Sequence, residues 1–356
     1  SRLPILSVEG KTTEFQKNKI KKYTITNENN EKIEISGDEI IKMPDGSLTT
    51  IYHFLKKIIK IIWVISTLSI IIFVFGFYSI KIDLFGLFGG MPSLQDLEKP
   101  QSESSSELYS NDTILLGKYF RYNRSPIKYH ELSNELITTL LVTEDIRFYN
   151  HSGIDFKGLV RATYGVFKNI ITLGSSGLEG GGSTITQQLA KNLFKIRNER
   201  KGKLSNMPFI GLIISKIKEW IVAVKLEEFY TKNEILSMYL NIAEYGSNSY
   251  GIKVASKTYF NKLPSQINYN EASIIVGLLN KPTKYNPFYN PENAINKKTE
   301  ILYNLYKYSK ISKMNFDSLS ALGVNLTYKV ENQNTGQAPY FRTVVKNYLI
   351  NWAKNN

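Results

Sequence analysis

Hydrophobic and polar positions alternate differently in successive parts of the chain. Ile61 to Ile80 reads I-I-W-V-I-S-T-L-S-I-I-I-F-V-F-G-F-Y-S-I, twenty residues without a charge. That length matches the hydrocarbon core of a bilayer, and a helix apolar on every side is a membrane span before it is a soluble core helix. The segment lies too far from the start of the chain for an ordinary signal peptide. Lys56, Lys57 and Lys60 precede it, against Lys81 and Asp83 after it. The positive-inside bias puts residues 1–54 in the cytoplasm and the chain after about residue 85 outside, a single-pass type II layout.

Before the span, Tyr23–Thr26 and Lys32–Ser36 alternate with period two, and Pro44-Asp45-Gly46 is a turn signal. After it, Gly89-Gly90, Pro92, Pro100 and the Ser/Glu run of 102–107 read as a linker. Strands are expected at 113–116 and 118–121. From there the apolar period becomes helical, predicting helices over 131–145, 155–172, 184–195, 210–230, 232–244, 251–260 and 268–280. The division is therefore a cytoplasmic region 1–54, a transmembrane helix 55–81, a linker 82–110, a main domain 111–310 and a C-terminal segment 311–356.

Charge and cysteine content narrow the chemistry. The net charge is +14, and residues 111–356 hold 32 basic against 18 acidic residues, so the whole excess sits in the main domain and the C-terminal segment after it. A basic domain favours anionic partners, and its place outside the membrane excludes nucleic acid. The chain has no Cys, which rules out disulfides and thiolate chemistry. Its three histidines, His53, His130 and His151, are far apart in sequence, so no metal site is expected.

Three stretches carry candidate chemistry. Val142–Asp155 follows an apolar helical run and ends it on Glu144-Asp145. A carboxylate at the rim of a core is partly desolvated, which raises its pKa toward the range useful for proton transfer; a solvated helix end is the plainer alternative. Gly180-Gly181-Gly182 leads into Ser183-Thr184-Ile185-Thr186-Gln187-Gln188. Thr184 and Gln187 form a T-x-x-Q capping box, and a Gly-rich helix start backed by Lys191 suits a phosphate, though a flexible turn before a capped helix explains it equally well. Lys216 and Glu219 lie one turn apart on a helix whose stripe is Ile213, Ile217, Trp220 and Val224, where a simple ion pair is the alternative.

Together these stretches resemble, in order, the motifs of the family 51 glycosyltransferases. These peptidoglycan polymerases stand alone or form the N-terminal half of class A penicillin-binding proteins. E-D-x-x-F-x-x-H-x-G-x-D is matched by Glu144, Asp145, Phe148, His151, Gly153 and Asp155. G-G-S-T-I-T-Q-Q-L-x-K-N is matched without a break to Asn192. Tyr239-Leu240-Asn241, Tyr245-Gly246, Tyr250-Gly251, Ala255 and Tyr259-Phe260 follow. The resemblance covers about residues 105–310.

The resemblance implies a mainly α, lysozyme-like, two-lobed glycosyltransferase domain outside the membrane, preceded by one transmembrane helix. It implies polymerisation of lipid II into β-1,4-linked glycan by inverting transfer, with release of undecaprenyl pyrophosphate. By family position Glu144 is the general base and Glu219 the second essential carboxylate. Arg161, Ser183, Thr184, Gln187, Gln188, Lys191, Asn192, Lys216 and Lys218 fall at substrate-binding positions, and Asp145, Phe148, His151, Gly153 and Asp155 at supporting ones. No cofactor is required, although some members respond to magnesium or manganese. The partners implied are lipid II, the nascent strand, the membrane and other cell-wall synthesis proteins, and the location is the bacterial plasma membrane. The apolar stretches 158–178 and 207–214, ordinary core by composition, become membrane-contacting by resemblance.

Two departures stand out. The usual R-K-x-x-E reads Ser215-Lys216-Ile217-Lys218-Glu219, so an Arg is missing, and Arg197 or Arg200 is the expected replacement. Thr335–Arg342 resembles the lead into a transpeptidase domain, and the chain ends at Asn356, before such a domain. A monofunctional enzyme, or a piece of a class A penicillin-binding protein that as given does not bind penicillin, is expected. Competing readings are a muramidase or lytic transglycosylase on the same fold, with Glu144 as general acid, and a non-catalytic cell-wall scaffold.

Overall fold

The computed structural model describes residues 22–26, 32–36, 40–42, 48–98, 106–119, 125–171, 182–197, 202–330 and 337–355. Two units divide at Tyr78 and Ser79. In the first, the alternating segments pair. Strands β1 (Lys22–Thr26) and β2 (Lys32–Ser36) are antiparallel, with Lys22 opposite Ser36, and β3 (Ile40–Lys42) pairs with β4 (Leu48–Thr50) around the Pro-Asp-Gly signal. Helix α1 (Ile51–Lys81) contains the uncharged run. Most of its apolar side chains are exposed, Trp63 at 69% among them, while Ile80 near its end is buried, and Leu55–Lys81 is long and apolar enough to cross a membrane.

The second unit is mostly helical. After α2 (Leu94–Glu98) and the hairpin β5 (Ser106–Tyr109) with β6 (Leu115–Tyr119) come α3 (Asn134–Glu144), α4 (Phe156–Ile171), α5 (Ile185–Leu193), α6 (Pro208–Phe229) and α7 (Lys232–Ile242). Then follow α8 (Ile252–Phe260), α9 (Tyr269–Asn280), α10 (Pro291–Lys307), α11 (Lys313–Ala321) and α12 (Pro339–Asn355). Helix α9 packs against α3 and α10, and α5 packs between α6 and α7. One apolar core joins Leu136 and Leu140 of α3, Leu189 of α5, Leu226 of α6, Leu236 and Leu240 of α7, and Ile275 of α9. Burying each such side chain stabilises by roughly 1.5–3 kcal/mol; on α6 the stripe expected at Ile213, Ile217, Trp220 and Val224 is corrected, since Ile213 is exposed and the buried side is Ile214, Ile217, Ile221 and Val222.

The strand expectation is corrected. Residues 113–116 were expected as the first strand, but the turn itself lies there: Thr113 N donates to Ser110 O, and Thr113 adopts a left-handed φ of 62°. Ser110-Asn111-Asp112 is strong turn chemistry, so the first strand falls earlier, in β5. Arg121, the end of the second expected strand, lies outside the described residues.

Residues 82–98, expected as linker, are held onto the main unit. Leu97 is fully buried in its core. Asp83 Oδ1 accepts from Phe88 N and Gly89 N, while Phe88 O accepts from Ser205 Oγ at 2.6 Å and Lys218 Nζ at 2.7 Å. The core likewise continues beyond residue 310. Ile311 is buried with Val142, Leu302 and Leu305, and Thr327 N and Lys329 N donate to the carbonyls of Tyr259 and Thr258. The fully buried Lys298 of α10 donates from Nζ to the carbonyls of Leu319 and Leu322 at the end of α11.

Candidate active site

Helix α3 ends where its apolar face ends, on Glu144 and Asp145. Ser133 caps its start by accepting from Leu136 N, and Asp145 leaves the helix as its C-cap. The two acids then point to different partners. Glu144 Oε2 accepts from Gln188 Nε2 at 2.7 Å. Burial raises the Glu144 pKa above its ordinary value, outweighing the Gln188 hydrogen bond and the charges of Lys297 and Lys191 that pull it down. A desolvated carboxylate whose affinity for a proton is raised is suited to exchanging one.

Asp145 does structural work. Its carboxylate receives His151 Nε2 at 3.0 Å and Ile185 N at 3.1 Å. The second contact places a negative charge on the first turn of α5, where free N–H groups and the helix dipole favour one. Against the phosphate-binding expectation for this helix start, two of its free N–H groups are already taken, Ile185 N by Asp145 and Gln187 N by Thr184 Oγ1. The capping box is only half formed. Gln187 turns its side chain away, donating from Nε2 to Gly153 O at 3.1 Å and accepting from Lys216 Nζ at 2.8 Å. Gly180 and Gly181 lie outside the described residues.

Gly153 is where the loop after α3 crosses α6. Its φ is +86°, and a Cβ there would sit 2.8 Å from the Ala223 backbone carbon, so both conformation and space call for glycine. Its carbonyl also accepts from Thr184 Oγ1 at 2.7 Å. Asp155 caps α4 by accepting from Gly158 N, and pairs with Arg147 through Nε and Nη2 at 3.0 and 2.5 Å. Although burial works the other way, the Arg147 hydrogen bonds and the Gly158 N–H hold the Asp155 carboxyl below its ordinary value. Phe148 is fully buried under Lys232 Nζ, 4.2 Å from the ring centroid.

The second carboxylate is built differently. Glu219 is 1% exposed on α6. Arg197 Nε donates to its Oε1 at 2.7 Å and Arg197 Nη2 to Oε2 at 3.3 Å, while Lys216 Nζ reaches Oε2 at 3.1 Å. Lys216 Nζ also donates to Ser183 Oγ at 2.7 Å. Burial, with help from neighbouring cations, pulls the Lys216 and Lys191 ammonium groups below their ordinary values; Lys191 feels Arg197, Glu219 and Glu144 together. The charges of both carboxylates therefore act on Lys191. Three cations around one carboxylate leave net positive charge, an arrangement suited to a diphosphate.

The expected site residues divide. Glu144, Gln188, Lys191, Ser183, Gln187, Lys216 and Glu219 are linked by hydrogen bonds or close charges. Lys218, expected on the phosphate side, instead reaches the Phe88 carbonyl, because a two-residue step on a helix turns it away from Lys216. Arg161 and Asn192 are exposed and reach none of these groups through a described hydrogen bond. Of the two arginines expected to replace the missing Arg, Arg197 pairs with Glu219, and Arg200 lies outside the described residues.

Several contributors were missed. Lys232 Nζ donates to His151 O and Glu227 Oε1, and Glu227 Oε1 accepts from Thr186 Oγ1, tying the loop of His151 to α5, α6 and α7. Lys297 of α10 lends charge to Glu144, and Tyr239 Oη donates to Gln188 Oε1 at 3.0 Å. Tyr239 and Thr186 lay within quoted motifs. Among the described residues, no three or more His, Asp or Glu side chains gather as a metal-holding set.

Apolar side chains surround this unit's outer helices. Phe156, Val160 and Tyr164 are each at least 67% exposed along one i, i+4, i+8 stripe of α4, and Phe209 at the start of α6 is 75% exposed. The side chains expected to continue the α4 stripe, Val166, Phe167, Ile170 and Ile171, lie outside the described ones.

A model of the transglycosylase family matches residues 112–306. Penicillin-binding protein 1A of Vibrio cholerae is 33% identical over 298 residues, covering 83% of this chain and 33% of that one. The Escherichia coli protein of the same name is 31% identical over 261 residues, covering 73% and 28%, and that of Aquifex aeolicus 32% identical over 288 residues, covering 81% and 36%. The chain thus spans about a third of the length of these relatives.

Proposed function

Because the chain belongs to the transglycosylase family, the family 51 glycosyltransferases of the motif reading, we propose that it polymerises lipid II into β-1,4-linked peptidoglycan strands. Glu144 is the general base. It takes the proton of the acceptor's 4-hydroxyl as that oxygen attacks C1 of the growing chain's terminal sugar. The C1–O bond to the diphosphate breaks with inversion, and undecaprenyl pyrophosphate leaves. Lys191, Arg197 and Lys216 stabilise the charge that develops on the diphosphate, with Glu219 holding Arg197 and Lys216 in place. No cofactor is needed for these steps.

The observation that carries this reading is the pairing of two unlike carboxylates whose charges both act on Lys191. One is desolvated with a raised pKa, and the other is surrounded by cations. Proton removal and leaving-group stabilisation need those two environments at opposite ends of one reacting bond. The exposed α4 stripe and the start of α6 suit contact with the membrane that holds a lipid-linked donor. With α1 as a type II anchor, this unit works outside the cytoplasm beside other cell-wall synthesis proteins.

The test is incubation of the full chain in detergent with fluorescent lipid II, comparing wild type with Glu144→Gln. Growth of glycan chains by wild type and a loss on the order of 100-fold or more in the variant is expected. Shortening of preformed glycan without growth would establish a muramidase, and unchanged polymerisation by the variant would remove Glu144 from the chemistry.

A further inference from the structure

Glu144 has one described hydrogen-bond partner, and that partner can face it in either of two senses. Gln188 carries an NH2 donor and a C=O acceptor on one amide. With the nitrogen toward Glu144, the amide stabilises the ionised carboxylate; with the oxygen toward it, only a protonated carboxyl can bond. The structure has the nitrogen there, at 2.7 Å.

The other end of the amide is met by Tyr239, which is 2% exposed and whose hydroxyl donates to Gln188 Oε1 at 3.0 Å. Reversing the amide would make the phenol an acceptor. Its own hydrogen would then lack the one acceptor described for it, within a core. A buried donor left without a partner costs about 1–3 kcal/mol. Burial and the Glu144 charge both keep the phenol protonated, so it has a hydrogen to place throughout the working pH range.

We propose that Tyr239 is a positioning residue for the transfer reaction: by fixing the sense of the Gln188 amide, it keeps Glu144 ionised and ready to accept the acceptor's proton. This rests on Glu144 being the base. The relay runs from α7 through α5 to the end of α3. The other groups facing Glu144 are Asp145 beside it, Lys191 of α5 and Lys297 of α10. The two lysines favour the carboxylate and Asp145 opposes it, and none of the three makes a described hydrogen bond to the amide.

The test is the pH dependence of lipid II polymerisation by the full chain in detergent. Tyr239→Phe keeps the ring and removes only the hydroxyl. Its rate is expected to fall roughly threefold on the acid limb while staying within about twofold of wild type on the plateau. Gln188→Met should shift the acid limb in the same direction, and adding Tyr239→Phe to it should move the limb no further. Thermal melting of each variant reports folding independently. An acid limb unmoved in Tyr239→Phe, or an equal loss at every pH, overturns the proposal. So does an additional shift from Tyr239→Phe in the Gln188→Met background. If Glu144→Gln retains activity, the base assignment falls and this proposal with it. If Glu144→Gln is inactive and the limb still does not move, only the Tyr239 role falls.

Discussion

Glu144 and Glu219 are both carboxylates on helices of one core, and they have opposite surroundings. Glu144 stands at the frayed end of α3 with a neutral amide as its described hydrogen-bond partner. Glu219 stands mid-helix on α6, gripped by a bidentate Arg197 and by Lys216. The first environment makes the charged form costly, and so makes the proton exchangeable. The second makes the charge a fixed counter-ion that orders cations. A glutamate's role here is decided by its neighbours and its place on the helix.

The largest effect expected of this contrast is on stability and activity together. Glu219→Gln should lower polymerisation on the order of 100-fold. It should also destabilise the fold by about 1–3 kcal/mol, because Lys216, though still bonded to Ser183 and Gln187, keeps its partly buried charge without a counter-charge. Arg197 is 43% exposed on its side chain, so solvent moderates that cost. Glu144→Gln should lose activity without losing stability. Thermal melting beside the lipid II assay checks both, and equal destabilisation by the two variants would dissolve the contrast.

Next in size, Arg197→Ala should reduce polymerisation by about tenfold or more, and Arg197→Lys should recover only part, since an ammonium cannot make both bonds to Glu219. Initial rates at saturating lipid II measure this. Unchanged rates would return the missing cation to another residue.

The pH dependence of stability sharpens the comparison further. The folded pKa of Glu144 lies above the ordinary 4.5, so the folded state binds the extra proton between the two values. Stability is full below 4.5 and is lost as pH rises through the folded value. Glu144→Gln should therefore melt higher than wild type at neutral pH, with the gap closing as pH falls below 4.5. Asp155 provides the smallest and opposite case. Its folded pKa lies below the ordinary 3.8, so its stabilisation is present above 3.8 and is lost as pH falls through the folded value. Asp155→Asn should cost about 1 kcal/mol at neutral pH, and its gap should close in acid. Melting curves across pH would show two gaps that both close in acid, one positive and one negative.

Much of this was legible in the sequence. The α3, α5, α6, α7, α8 and α9 helices follow from period and caps, and their ends differ by only a few residues from the expected bounds. The motif block located both glutamates. Residues 82–98 were not legible, because Gly-Gly and Pro composition describes a linker equally well and the packing of Leu97 is a tertiary fact. Lys218 was readable but misread: helical spacing alone separates it from Lys216, and family position outweighed that geometry. Arg197 could be narrowed to one of two arginines, since only the folded loop decides which reaches Glu219. Lys232, Glu227 and Lys297 carried no signal, being ordinary surface charges until three helices bring them inward.

The clasp between Lys218 and the Phe88 carbonyl bears on where this protein can be cut. A fragment beginning at residue 111, the boundary that composition suggests, would discard the acceptor of a largely buried ammonium, the partner of Ser205 Oγ and the Leu97 side chain in one step. The lost bonds meet α6 one residue from Glu219, so such a fragment would carry its damage next to the cation cluster. A fragment beginning at residue 79 keeps the Asp83 turn, the Phe88 acceptor and α2. Expression yields of the two fragments would read that boundary directly.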